Sequence, residues 1–239
     1  MKKNQLFFVF VLILFSAVFT ACTKVNGKGP VVSEIRTVGS FNRIDFATSG
    51  RLYYKAGAAH RVEIRAQRNI QDVLEAYVSN GELNLKIKNN TVIHSYETIE
   101  VYIESPDINA FKVNGSGDIY SNDPIETDRL YTEVKGSGKI DIQSLEADEL
   151  EARISGSGDV LVRSGAAAMG HLEISGSGDM NLIGLQVADM TTRTSGSGDI
   201  RLWATEKLDA KITGSGSVRY KGNPQLTVQV SGSGTVSPY

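Results

Sequence analysis

The chain has 239 residues, with 25 basic and 27 acidic side chains and a formal net charge of −2. Because this near balance creates no strong positive field, binding to nucleic acid is not expected. The single cysteine, Cys22, excludes a disulfide framework within the chain, and the length suits one or two domains.

The N-terminus has the pattern of a secretory signal. Two lysines precede an apolar run over residues 6–18 that is too short for a comfortable membrane span. Small residues lie just before Cys22, where cleavage is expected. We interpret residues 1–21 as a lipoprotein signal peptide and Cys22 as the lipidated new N-terminus; a secretory signal with a chance cysteine is the alternative. Residues 22–32 would then be a tether, and the membrane a partner through the lipid on Cys22.

The sequence of residues 33–113 predicts a β-region that is less regular than the repeats after it. Asn80-Gly81 lies between two alternating runs of polar and apolar residues, and this dipeptide favours the type I′ turn of a β-hairpin. Residues 69–75 allow one short helical turn. We expect the region to cap the repeats that follow, because an exposed sheet edge invites aggregation.

Residues 114–239 contain a repeat. Gly-Ser-Gly starts at residues 115, 136, 156, 176, 196, 214 and 232, so the steps are 21, 20, 20, 20, 18 and 18. Alternating apolar residues flank each copy, as in two strands with one buried face. A catalytic motif is needed once, whereas a phrase repeated at this period is typical of a structural unit. The sequence predicts an all-β fold ending in a parallel β-helix, a β-solenoid of about 20-residue rungs.

We interpret Gly-Ser-Gly as the corner between two strands, because glycine reaches positive φ at no steric cost and permits close stacking. The segment between repeats is expected to be looser and to absorb the shorter steps. An aspartate follows four of the corners: Asp118, Asp159, Asp179 and Asp199. Calcium binding is the alternative use of this column. One carboxylate a rung falls short of the roughly six to eight oxygens that calcium takes, so neither a metal nor a cofactor is expected.

One outward column alternates in charge. The residues three positions before successive corners are Glu133, Arg153, Glu173, Arg193 and Lys211. An exposed ion pair contributes only about 0–1 kcal/mol, so we interpret the column as a device that fixes the register of the rungs.

The sequence predicts no enzyme and no catalytic residue. The three histidines are isolated: His60, His94 and His171. Gly-Ser-Gly also lacks the frame of a nucleophile elbow. Parallel β-helices can carry polysaccharide-cleaving sites, and four residues could come near each other on one outward face: Asp141, Arg163, Arg201 and Arg219. They are spread over several rungs.

Several motifs together resemble the autotransporter adhesin head GIN domain family. They are the lipoprotein signal, the Phe41-Asn42-x-Ile44 opening, the Asn80-Gly81-x-Leu83 hairpin and the Ser-Gly-Ser-Gly-Asp rungs. The resemblance covers roughly residues 35–236; Lys139, Ser217 and Thr235 depart from the aspartate of the pattern. It implies a secreted or lipid-anchored bacterial β-protein that ends in a parallel β-helix, and it carries over no binding residue.

The expected function is that of a lipid-anchored, non-catalytic, adhesin-like binding module of the bacterial cell envelope. It would lie at the outer membrane, facing the periplasm or the cell surface, with a glycan or protein as ligand. A purely structural envelope protein is the main alternative, and a carbohydrate-active β-helix enzyme is the third. Outward aromatic residues gathered on one face would favour binding, and Tyr131 and Trp203 are the candidates.

Overall fold

The structure is a computed structural model that describes residues 22–239. The signal peptide predicted over residues 1–21 lies outside the described residues. In chain order the strands are β1 Thr23–Asn26, β2 Val31–Arg36, β3 Arg43–Ala47, β4 Arg51–Ala56, β5 Arg61–Gln67, β6 Leu74–Ser79, β7 Glu82–Ile87, β8 Thr91–Ser95, β9 Glu100–Ser105, β10 Ala110–Gly115, β11 Asp118–Gly136, β12 Lys139–Gly156, β13 Asp159–Val162, β14 Gly165–Gly176, β15 Asp179–Gly196, β16 Ile200–Gly214, β17 Ser217–Lys221, β18 Gln225–Gly232 and β19 Thr235–Pro238. A short helix, α1, spans Arg68–Gln71.

The strands stack in parallel, which confirms the predicted all-β β-solenoid. Strands that lead into the corners form a first face, in the spatial order β7, β3, β10, β11, β12, β14, β15, β16, β18. Strands that leave the corners form a second face, in the order β9, β4, β11, β12, β13, β15, β16, β17, β19. In the central rungs the side chains alternate between inward, buried positions and outward positions along most of each strand, as in β12.

The first rungs do not follow chain order. β3 and β4 stand between β7 and β9 on one side and β10 and β11 on the other. Beyond β7 and β9 the end is closed by antiparallel strands, with β6 on β7, β5 on β9 and β2 on β5. The β6–β7 hairpin predicted at Asn80-Gly81 is confirmed, with φ of 51° and 75° at its two turn residues. The helical turn expected within residues 69–75 lies at Arg68–Gln71.

The segments between repeats are more regular than expected. In the central rungs they form a third stacked face, in which residues 124–127 pair with 144–147 and residues 145–147 pair with 165–167. This face exists because its inward residues, such as Leu145 and Leu185, are apolar and fully buried. The shorter step does fall here, since the register of β15 on β16 shifts between Leu182 and Gln186.

The corners stack through their backbones. The first glycine of each Gly-Ser-Gly has φ between 123° and 132°, in the region that favours glycine. The serine amide donates to the first glycine of the rung before, as from Ser177 N to Gly156 O at 2.9 Å. The second glycine lacks a positive φ, but a Cβ on Gly178 would overlap the carbonyl oxygen of Gly158. The corner interpretation therefore holds, with the correction that positive φ belongs to the first glycine alone.

Candidate ligand-binding face

Three tyrosines stack on the outward side of the second face. Tyr102 on β9, Tyr53 on β4 and Tyr120 on β11 occupy equivalent positions in adjacent strands. The ring centroid of Tyr53 lies 5.2 Å from that of Tyr102 and 5.6 Å from that of Tyr120, and the angle between the ring planes is 22° in both pairs. They point outward because their strand neighbours, such as Leu52 and Tyr54, fill the core. We call these three residues the tyrosine face.

A cation covers each end of the stack. The Arg65 guanidinium lies 4.4 Å from the centre of the Tyr102 ring, and the Lys139 ammonium lies 4.9 Å from that of Tyr120. Such contacts are attractive because the face of an aromatic ring is electron-rich. Since both flat sides of each ring are occupied, the tyrosines present ring edges and hydroxyls to the outside.

Carboxylates orient two of the hydroxyls. Tyr102 donates to Glu100 at 3.0 Å, and Tyr120 donates to Asp118 at 3.2 Å. Partial burial raises the pKa of both phenols, and the adjacent carboxylates raise it further. Both groups therefore remain neutral hydrogen-bond donors at physiological pH.

A surface cavity of about 400 Å³ adjoins Tyr53 and Tyr102. Its charged lining consists of three basic and three acidic residues: Lys55, Arg61, Arg65, Glu63, Glu104 and Asp123. Glu63 forms ion pairs of 2.9 Å with both Arg61 and Arg65. A hydrogen bond from Ser33, together with Arg65, lowers the pKa of Glu63, so this carboxylate stays ionised. The six charges of the cavity therefore cancel, and Glu63 holds Arg61 and Arg65 in place.

The charge column predicted from the repeats is confirmed in its register. Glu133, Arg153, Glu173, Arg193 and Lys211 lie on successive strands of the first face. Within the column, Arg153 lies 3.8 Å from Glu173 on the next strand, whereas its shorter contact, at 2.8 Å, is with Glu151 on its own strand. The stacking of the column is confirmed, and its role in holding the register of the rungs stays a prediction.

The two aromatic candidates from the sequence do not meet. Tyr131 lies on the first face, where burial and the nearby Glu133 raise its pKa to about 12. Trp203 lies on β16, with the Lys221 ammonium 3.7 Å from its ring centre. Neither residue belongs to the tyrosine face.

The four charged residues considered for catalysis remain dispersed. Arg163 makes two hydrogen bonds of 2.7 Å to the Asp141 carboxylate. Arg201 and Arg219 share the outward column of Asp141, but Leu161 and Asn181 separate them from it. Asp141 and Arg163 therefore form a local ion pair, and the four residues do not share one site.

Two of the four corner aspartates accept a backbone amide of the next rung. Asp179 accepts the amide of Asp199 at 2.9 Å, and Asp199 accepts the amide of Ser217 at 2.8 Å. Within residues 22–239, no three His, Cys, Asp or Glu side chains are grouped so that they could hold a metal ion. Nor does the described part of the chain contain a helix long and apolar enough to cross a membrane.

The residues after Cys22 lie against the body of the protein. Cys22 is exposed, and β1 pairs in parallel with β8. The Asn69 side chain donates to Asn26 O at 2.6 Å and accepts from Lys28 N at 2.9 Å. These contacts place Cys22 at the end of the solenoid that the antiparallel strands close.

Fold and face together define a parallel β-helix protein with an outward aromatic surface. The chain belongs to the family described as "Putative auto-transporter adhesin, head GIN domain", whose profile matches residues 40–224.

Three solved structures of similar proteins come from the bacterial genera Bacteroides and Parabacteroides. A "putative adhesin" from Bacteroides fragilis is 30% identical with a TM-score of 0.86, and the match covers 90% of this chain and 100% of that one. A "putative lipid binding protein" from Parabacteroides distasonis is 22% identical with a TM-score of 0.77, covering 91% and 100%. A "putative adhesin" from Parabacteroides merdae is 22% identical with a TM-score of 0.74, covering 91% and 99%. A search of curated proteins gave no match. Family and neighbours support an adhesin-like role.

Proposed function

We propose that this protein is a lipid-anchored, non-catalytic, adhesin-like module of the bacterial cell envelope that binds a neutral glycan at the tyrosine face. The observation that carries the proposal is the rigid stack of Tyr102, Tyr53 and Tyr120 beside a cavity whose charges cancel. The adhesin names of the family and of a 30% identical relative support it.

The rigidity of the tyrosine face suits binding. Because the flat sides of the rings are occupied, a ligand meets a row of ring edges and hydroxyls, and tyrosine and arginine are enriched among residues that dominate binding energy. Here the strand register, the ring stacking and the flanking cations fix the side chains before a ligand arrives. Less ordering is then required on binding.

The polar groups around the cavity favour a hydroxyl-rich ligand. Guanidinium groups can donate, carboxylates can accept, and the Asn122 amide can do both. Sugar hydroxyls also donate and accept, so one ring can satisfy several of these groups. A net charge of zero gives an anion such as a phosphate headgroup no advantage, and six charged residues do not suit an acyl chain.

The contacts of β1 support an orientation for the anchored protein. With a lipid on Cys22, the end closed by antiparallel strands would face the membrane. The tyrosine face, on the first three rungs, would then lie near the membrane, and β18 and β19 would lie farthest from it.

The proposal is tested by titrating neutral envelope and host glycans into the chain from residue 22 with Cys22→Ser. We expect Tyr53→Ala, in the middle of the stack, to weaken binding at least tenfold. The matched control is Tyr77→Ala, which removes a 42% exposed tyrosine on β6, outside the tyrosine face. Equal affinity of the Tyr53→Ala variant and the parent would refute the site. If the tyrosine face bound a protein, the ligand would be a protein and not a glycan. Cleavage of a glycan would favour the enzyme alternative.

A further inference from the structure

The two ends of the solenoid differ. Among residues 22–239, no strand pairs with the outer side of β18 and β19. The inward side chains of β18 are each 42% exposed: Leu226, Val228 and Val230. Their counterparts one rung earlier are at most 1% exposed: Leu208, Ala210 and Ile212. The last rung thus presents an apolar surface that each earlier rung buries.

The last rung also carries no charged side chain. Residues 222–239 contain no Asp, Glu, Lys or Arg, whereas residues 200–221 contain seven. Proteins usually protect a free edge strand with charge, short length or proline. Pro238 protects β19 in this way, but β18 has eight residues and neither charge nor proline. Its free backbone groups and apolar side chains are therefore open to pairing.

We propose that this end is the interface of a homodimer, in which β18 of one copy pairs in antiparallel fashion with β18 of a second copy. A two-fold axis brings identical surfaces together, which satisfies the free edges and covers both sets of apolar side chains. Two uncharged surfaces meet without like-charge repulsion. The 18 residues of the last rung approach the roughly 20–30 residues a side of a standard interface.

The opposite end fits β18 less well. Its outer strand β2 carries Glu34 and Arg36, and Glu75 lies on β6. Head-to-tail stacking would place these charged residues against an uncharged partner. The interface is therefore isologous, and assembly stops at two copies.

The dimer has a consequence that rests on the lipid anchor proposed above. Cys22 lies at the end away from β18, so the two anchors of a dimer would point in opposite directions. A dimer of this geometry would join two facing membranes, so that one copy of the protein binds a second copy on the opposite membrane.

Analytical ultracentrifugation of the chain from residue 22 with Cys22→Ser, which keeps every described strand, tests the dimer without the lipid. We expect twice the chain mass, and a monomer for Val228→Lys. The matched control is Thr191→Lys, which adds the same charge on the outward side of a central rung and leaves the dimer intact. A monomeric parent, or a mass that rises beyond two chains with concentration, would overturn the proposal.

Cross-linking keeps the test decisive if Val228→Lys fails to fold. In the chain with Cys22→Ser, Gln229→Cys places an outward thiol on β18, and a short bismaleimide should link two copies there. Thr191→Cys should give no such product, and equal yields from both variants would contradict the interface.

Coupling Cys22 of the unmodified chain to maleimide vesicles tests the bridging geometry without natural lipidation. The vesicles should cluster with the parent and stay dispersed with Val228→Lys. Dispersed vesicles with the parent would overturn the bridging.

Discussion

Replacing Gly178 by valine tests whether the corners hold the stack together. Gly178 is buried in a central rung, and a Cβ there would overlap Gly158 O and lie 2.7 Å from Ile154 Cγ2. Gly158 O belongs to the backbone of the adjacent corner and accepts the Asp179 amide at 3.2 Å. Valine must therefore displace backbone that is itself stacked on a further rung.

The cost follows from these contacts. Overpacking a closed site costs about 1–3 kcal/mol, and losing one backbone hydrogen bond adds about 0.5–1.5 kcal/mol. We expect a loss of about 2–4 kcal/mol, which lowers the melting temperature of a chain of this size by about 4–16 °C. Asp179→Asn should cost under about 1 kcal/mol, because the amide oxygen can still accept the Asp199 N–H.

Thermal unfolding followed by circular dichroism, with calcium and with chelator, measures both variants. The matched control is Ser177→Val, which adds the same side chain at the exposed middle of the same corner and should change stability little. If Ser177→Val were as harmful as Gly178→Val, backbone stacking would not be the cause. A parent that melts much lower in chelator, with Asp179→Asn the worse variant, would establish a metal-bound solenoid instead.

Two further changes test the anchor and the interior. Cys22→Ser removes the only thiol of the chain, so it should abolish labelling by a fatty-acid analogue and release the protein from the membrane fraction; an unlabelled, soluble parent would refute the lipoprotein interpretation. Thr192→Val removes a fully buried hydroxyl that has no hydrogen-bond partner among the described residues and should stabilise the fold by about 1 kcal/mol, raising the melting temperature by about 2–4 °C. Thr191→Val, on the outward side, is its control, and a lower melting temperature for Thr192→Val would show that the hydroxyl is satisfied.

The repeats could be predicted because each rung repeats the same chemistry. Counting back from each Gly-Ser-Gly gives the residues that stack, so the alignment of Glu133 with Arg153 and Glu173 required no structure. The third face was less visible. Its inward positions include Gly165 and Ala167 as well as Leu145 and Leu185, so its apolar pattern is weak in a single repeat. Its strands are stabilised by neighbours in the stack, a contribution that no local pattern displays.

The tyrosine face shows where such reasoning stops. Arg51-Leu52-Tyr53, Glu100-Val101-Tyr102 and Asp118-Ile119-Tyr120 share the order of a charged, a buried apolar and an outward aromatic residue. That likeness was available in the sequence. The stacking order was not, because β7 and β9 come later in the chain than β3 and β4 but lie on their outer side. Only this placement brings Tyr102 against Tyr53 and puts Tyr53 in the centre of the stack. Removal of the Tyr53 ring would leave Tyr102 and Tyr120 without their stacking partner. The surface that we propose for binding thus arises from the irregular rungs, and the regular rungs extend the solenoid towards the uncharged end.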